Sequence, residues 1–240
     1  MLELGLHLLI YAVLFGFFAL ITRRATVRAL FLAAAVYAVH ELALRYGQAI
    51  PTPGFLSGSQ WNWMGKLAAI AALLAMLPLL SAAERRETGL SVRFKKGWLI
   101  RSLPALIFLI AIPIAFARNA TRQAWSTETL LFQATLPGID EELAYRGLML
   151  AVLNVAFLRP WKFCGTPIGP ALFITSIMFG VAHGVTVGES GVSINAFNLA
   201  RTTFGGLLYG YIMESCGTLV APIVAHNISN TARYLFVMMK

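Results

Sequence analysis

The sequence predicts an all-α, polytopic membrane protein with about eight transmembrane helices, and three observations carry that expectation. Of its 240 residues, 58% are hydrophobic and 12% charged, with a mean hydropathy of +0.73, against about 45–50% and about 25% for ordinary soluble domains. That composition excludes a conventional soluble globule. The apolar residues fall in runs near the ~20 residues that a helix needs to cross a hydrocarbon core. The segments between runs are too short for a soluble domain of any size, so 1–240 reads as one membrane domain.

The spans follow in order. The first covers 2–21, and Arg23 and Arg24 come after it, whereas a cleavable signal peptide carries its basic residues before the apolar stretch. The second covers 29–44 and the third 66–83. Between them the longest loop, 45–65, carries Trp61 and Trp63, residues suited to the headgroup belt. The fourth, 98–117, contains Pro104 and Pro113, which predict kinks of the kind membrane helices tolerate. The region 128–158 is too long for one straight crossing, and Pro137-Gly138 divides it into a lead-in and a fifth span over 139–158. The last three spans cover 170–183, 192–213 and 218–237, and Gly206-x3-Gly210 in the seventh is a close-packing signal.

The net charge of +9 comes from 19 Lys/Arg against 10 Asp/Glu. Because the basic residues sit in short segments between apolar runs, they point to lipid headgroups and membrane orientation and not to nucleic acid. Eleven of them, from Arg23 to Lys162, fall in alternate loops; Arg45, Lys66, Arg118, Arg122 and Lys240 fall on the other side. The positive-inside bias puts both termini outside. Cys164 and Cys216 are too few for a disulfide framework and read as small packing residues.

Charges inside a membrane are costly unless paired or wetted, so each marks a candidate function. Asp140, Glu141 and Glu142 are consecutive, in Gly138-Ile-Asp-Glu-Glu-Leu-Ala-Tyr-Arg146. Glu142 and Arg146 are four apart on a helix and suited to an ion pair, while Glu141 points about 100° away without that partner. A solvated helix start explains the acids less well, because apolar sequence resumes after Gly147. His7 and His40 lie near span ends and read as interfacial. His183 shares a helix face with Phe179, and His226 with Asn230. Arg201 is a further intramembrane charge, whose expected counter-ion is one of these acids.

Glu141-Glu142-x3-Arg146, Phe179-x3-His183 and His226-x3-Asn230, in that order on separate helices, resemble the CPBP family of intramembrane proteases, which includes the Rce1-type CAAX prenyl endopeptidases. The matching region, 128–237, would form the catalytic core, and the spans within 1–127 carry no matching motif. The resemblance implies that Glu141 and His183 activate a water, that His226 and Asn230 donate hydrogen bonds to the oxyanion, and that Glu142 and Arg146 are a supporting pair. A buried carboxylate suits a general base, and two donors on one helix face suit a developing negative charge. The implied reaction is cleavage near the C-terminal end of a membrane-anchored protein or peptide, either a CAAX-type or a bacterial sorting or bacteriocin-type substrate, in a prokaryotic cytoplasmic membrane. No cofactor is favoured. The alternative is a catalytic zinc held by Glu141, His183 and His226, although no His-Glu-x-x-His helix is present. A rival from another class is a non-enzymatic ion or proton-coupled carrier. The crossing pattern puts Glu141, His183, His226 and Asn230 at one level in the outer half of the bilayer.

Overall fold

The computed structural model describes residues 1–56 and 58–240, and its regular structure is nearly all α-helical. Helices α1 (Leu2–Thr22) and α2 (Val27–Gly47) form a hairpin, with the Thr26 hydroxyl accepting the Ala29 N–H at 3.1 Å to cap α2. Helix α3 (Trp63–Ala75) opens on Asn62, whose side chain accepts the Gly65 N–H. It is shorter than the expected 66–83, because Pro78 turns the chain into a 3₁₀ turn, Leu77–Leu79. A short helix α4 (Ala82–Glu87) follows, started by a reciprocal Ser81–Glu84 capping box. Helix α5 (Trp98–Ala117) continues through both prolines.

The expected break at Pro137-Gly138 does not occur. Helix α6 (Thr127–Glu142), a π-helical segment (Leu143–Met149) and helix α7 (Leu150–Phe157) are continuous. Proline removes one helical hydrogen bond and crowds the preceding turn, and here a side chain from another helix braces the backbone on either side of it. Asn227 donates its Nδ2–H to the Thr135 carbonyl at 2.9 Å and accepts the Gly138 N–H at 2.8 Å. A Cβ on Gly138 would meet Asn227 Oδ1 at 2.5 Å, so glycine is what lets this clamp close.

Helices α8 (Pro170–Gly184), α9 (Ala196–Cys216) and α10 (Val220–Met239) complete the bundle. Two small antiparallel hairpins were not expected: β1 (Trp161–Phe163) with β2 (Thr166–Ile168), and β3 (Val185–Gly188) with β4 (Gly191–Ile194). They are too short for alternation to register in the sequence. Cys164 and Gly165, at φ 45° and 79°, make the two-residue turn of the first, a conformation such hairpins demand. Cys164 is therefore an exposed turn residue and not a packing residue, while Cys216 is buried as expected.

Helices α8 and α9 touch along a seam of small residues. A Cβ on Gly184 would come within 2.6 Å of the Leu199 backbone nitrogen, and one on Gly206 within 3.0 Å of Ser176 Cα. The signal Gly206-x3-Gly210 thus marks a real approach of two backbones. Helices α1, α2 and α5 are long and apolar enough to cross a membrane, and α3 and α8 are shorter apolar helices. Helices α6, α9 and α10 are more polar because they carry the residues that face inward.

Hydrogen bonds sort the connections into two groups at opposite ends. At one end Glu3 accepts the Val187 N–H, Glu128 accepts from Gln60 and Trp61, and Lys240 donates to the Arg118 and Ala120 carbonyls. At the other, Arg28 pairs with Glu84, Arg159 pairs with Glu87 and Glu214 at 2.5 and 2.6 Å, and the Lys95 N–H donates to the Cys216 carbonyl. Both termini share the first end. The basic loops share the second.

Candidate active site

The π segment begins directly after Glu142, and the widened turn of a π-helix is a feature often found at functional sites. Around it the three consecutive acids point in different directions, each toward its own partners. Asp140, fully buried, has Oδ2 2.8 Å from Lys66 Nζ and Oδ1 3.1 Å from His40 Nε2. Glu141 accepts a hydrogen bond from Lys66 Nζ to Oε1 at 2.6 Å. Glu142, also fully buried, accepts from Arg146 at 3.1 Å, and its Oε1 is 2.7 Å from His226 Nδ1.

The expected Glu142–Arg146 pair therefore forms, with both residues at 0% exposure. Arg146 also donates to the Gly206 carbonyl at 2.9 Å, and its guanidinium lies 4.7 Å from the centre of the Phe179 ring. Both terminal nitrogens of this buried cation thus meet an oxygen and one face meets an aromatic ring, contacts that offset the cost of keeping it out of water, although its Nε has no hydrogen-bond partner among the described residues.

Glu141 is not without a partner, as the helical wheel alone suggested: a lysine from α3 supplies it. Its second oxygen, Oε2, faces His226 Nε2 at 3.7 Å and His183 Nε2 at 3.9 Å. His183 is set by its Nδ1, 2.8 Å from the Phe179 carbonyl, so the spacing of four that puts Phe179 and His183 on one face also orients the imidazole. A carbonyl only accepts, so Nδ1 carries a hydrogen and Nε2 is the ring nitrogen turned toward Glu141. His226 is stacked on Tyr209, with ring centres 4.7 Å apart and planes 8° from parallel.

Asn230 lies one turn beyond His226 and lines the same cavity of about 400 Å³, with Glu141, His183, His226 and Lys66 on the wall. Glu141, His183, His226 and Asn230 thus line one cavity. Four expectations are corrected. His40 is not interfacial but buried against Asp140. His7 is buried too, 2.7 Å from the Tyr37 hydroxyl and 3.0 Å from the Val185 carbonyl. Arg201 lines the cavity, yet no carboxylate among the described residues lies within 4.0 Å of it. Lys66 is not a loop cation, since its side chain is only 12% exposed and belongs to the site. Removing it from the orientation count sharpens the charge asymmetry.

Lys66 and His40 are the residues that sequence reasoning missed, and they bring α2 and α3 into a site read as the work of 128–237 alone. The available signal was a lone lysine at the start of an apolar run, which is uneconomical unless an acid awaits it.

Among the described residues no three His, Cys, Asp or Glu side chains are grouped as metal ligands. The ammonium of Lys66 already supplies positive charge to Glu141, where a zinc would have to bind beside it.

The helices and the buried polar cluster define an integral membrane protein with an enzyme-like site. Residues 123–232, slightly under half of the chain, match the family model described as type II CAAX prenyl endopeptidase Rce1-like, a likeness to the CPBP family that indicates a protease. The match begins just before α6 and ends within α10, so it contains every motif residue and excludes His40 and Lys66. No curated protein and no solved structure matched the chain.

Proposed function

We propose that this protein is an intramembrane endopeptidase that hydrolyses a peptide bond near the C-terminal end of a membrane-anchored protein or peptide, by a metal-free, glutamate-dependent mechanism. The observation that carries the reading is Glu141 Oε2 facing Nε2 of both His183 and His226 across gaps just under 4 Å, inside a cavity that also presents Asn230. A water in that gap donates one hydrogen to Glu141 and the other to the His183 lone pair, which turns its own lone pair toward a carbonyl carbon.

Attack forms the carbon–oxygen bond as the water's proton passes to Glu141. The carbonyl oxygen becomes an oxyanion, received by the Asn230 amide and by a hydrogen bond from His226 Nε2–H. Glu142 Oε1, 2.7 Å from Nδ1, fixes the orientation of the ring, and Arg146 holds Glu142 in place. Collapse breaks the carbon–nitrogen bond, and the proton on Glu141 passes to the departing amine. Lys66 holds Glu141 by its other oxygen, leaving Oε2 free for the water.

Eight membrane crossings accompany this reading: α1, α2, α3, α5, the rod α6 to α7, α8, α9 and α10, with α4 at the surface of what we read as a prokaryotic cytoplasmic membrane. The decisive experiment incubates the purified protein, in lipid, with a panel of membrane-anchored peptides. Glu141→Gln is expected to lower cleavage by about 10²–10⁴-fold and Asn230→Ala by about 10²–10³-fold. If both variants cleaved like the wild type, the protease reading would fail and a proton or ion carrier, which has no special use for Asn230, would take its place. Elemental analysis is expected to find no stoichiometric zinc in active protein, and zinc whose removal and return switched activity off and on would refute the metal-free mechanism.

A further inference from the structure

The cavity holds more positive charge than the mechanism uses. Three cations line it, Lys66, Arg201 and Arg233, against a single carboxylate, Glu141. Lys66 is committed to Glu141 and Asp140. Arg201 on α9 and Arg233 on α10 have neither a carboxylate within 4.0 Å nor a side-chain hydrogen bond among the described residues. Both are partly buried and line the same cavity. Arg233 is steadied by the ring of Tyr234, 5.1 Å from its guanidinium. Two unpaired guanidinium groups within a low-dielectric bundle are expensive unless an anion visits them, and a planar fork suits the paired oxygens of a carboxylate or a phosphate.

Position identifies the anion. Arg233 lies seven residues beyond His226 on α10, a rise of roughly 10 Å at 1.5 Å per residue. That is the length of about three extended residues. Resting on the protease reading above, we infer that Arg201 and Arg233 form a subsite for the free α-carboxylate of the substrate, so that the cut falls a few residues before a true C-terminus. The two arginines thereby set specificity, and chain ends are chosen over internal segments that carry the same side chains.

The test uses full-length protein in nanodiscs of neutral phosphatidylcholine, with an S-farnesylated octapeptide whose cysteine is fourth from the end, made as free acid and as C-terminal amide. Binding is measured on the Glu141→Gln variant, so the result does not depend on turnover. The acid is expected to bind about ten- to hundredfold more tightly than the amide, the range of a charge-assisted hydrogen bond. Adding Arg201→Gln or Arg233→Gln is expected to bring the ratio near one, and Arg→Lys at either position to restore part of it, which also controls for folding. Equal binding of acid and amide, or binding of neither, overturns the subsite. If the arginine variants altered only the response to phosphatidylglycerol in the disc, the anion would be a lipid phosphate and the subsite would again be refuted. The protease reading stands or falls separately, on whether Glu141→Gln abolishes cleavage of either peptide.

Discussion

Arg146 and Glu142 are each without access to water, so neither tolerates the loss of the other. Arg146→Met is expected to destabilise the protein by about 3–5 kcal/mol, because it strands a buried carboxylate. Denaturation in detergent would check this, with the double variant Glu142→Gln/Arg146→Met recovering much of the loss. Lys66 calls for a different outcome. Lys66→Met is expected to lower kcat by about 10²-fold with KM little changed, since a small displacement of a catalytic group is enough for that, and Lys66→Arg to recover part of it. An unchanged kcat in Lys66→Met would show that Glu141 needs no such tether. The Glu142–Arg146 pair was legible in the sequence because it is local, one helical turn end to end. The Lys66–Glu141 pair was not, because its members are 75 residues apart and no periodicity on either helix refers to the other.

At the level of the elements, Pro137-Gly138 was misread for a physical reason: proline followed by glycine ends most helices, and the clamp that prevents it lies 89 residues away in Asn227. Asn227→Ala is expected to cost about 1–3 kcal/mol by leaving the Gly138 N–H unsatisfied. The loss should be concentrated near the site, read as faster hydrogen exchange around residues 135–142. The α8–α9 seam predicts a matched contrast. Gly184→Ala forces a Cβ against the Leu199 backbone and is expected to cost about 1–3 kcal/mol, whereas Gly188→Ala meets nothing within 4 Å and is expected to leave the melting temperature nearly unchanged. At the surface, burial works to raise the Glu84 carboxyl, but Arg28 and the capping contacts with Ser81 outweigh it and hold the group below its usual value of 4.5. The stability it contributes is therefore full above that value and is lost as pH falls through the depressed one. Acid melting curves should show this step in the wild type and not in Glu84→Gln.

For the molecule as a whole, the apolar runs announced most of the helices, since crossing length is written in composition alone. What they could not announce was which polar residues meet. The separation of the connections into two ends implies that the loop after His183 lies with both termini, away from the basic loops. The positive-inside bias then predicts that it lies outside. A membrane-impermeant thiol reagent is expected to label Gly188→Cys in intact cells, on a background lacking Cys164 and Cys216; labelling only after lysis would put the site on the cytoplasmic side. The pairing of the acids also bears on how the protein is made. A segment carrying Asp140, Glu141 and Glu142 resists insertion, as each charge near a bilayer centre costs about 2.5–3.5 kcal/mol when a helix leaves the translocon. His40 and Lys66, which meet Asp140 and Glu141, are synthesised earlier, and Arg146, which meets Glu142, rides on the same helix. Each acid thus emerges from the ribosome with its counter-ion already in the membrane or one turn behind it. The N-terminal helices, which bear none of the motif residues, act in this respect as a chaperone built into the chain.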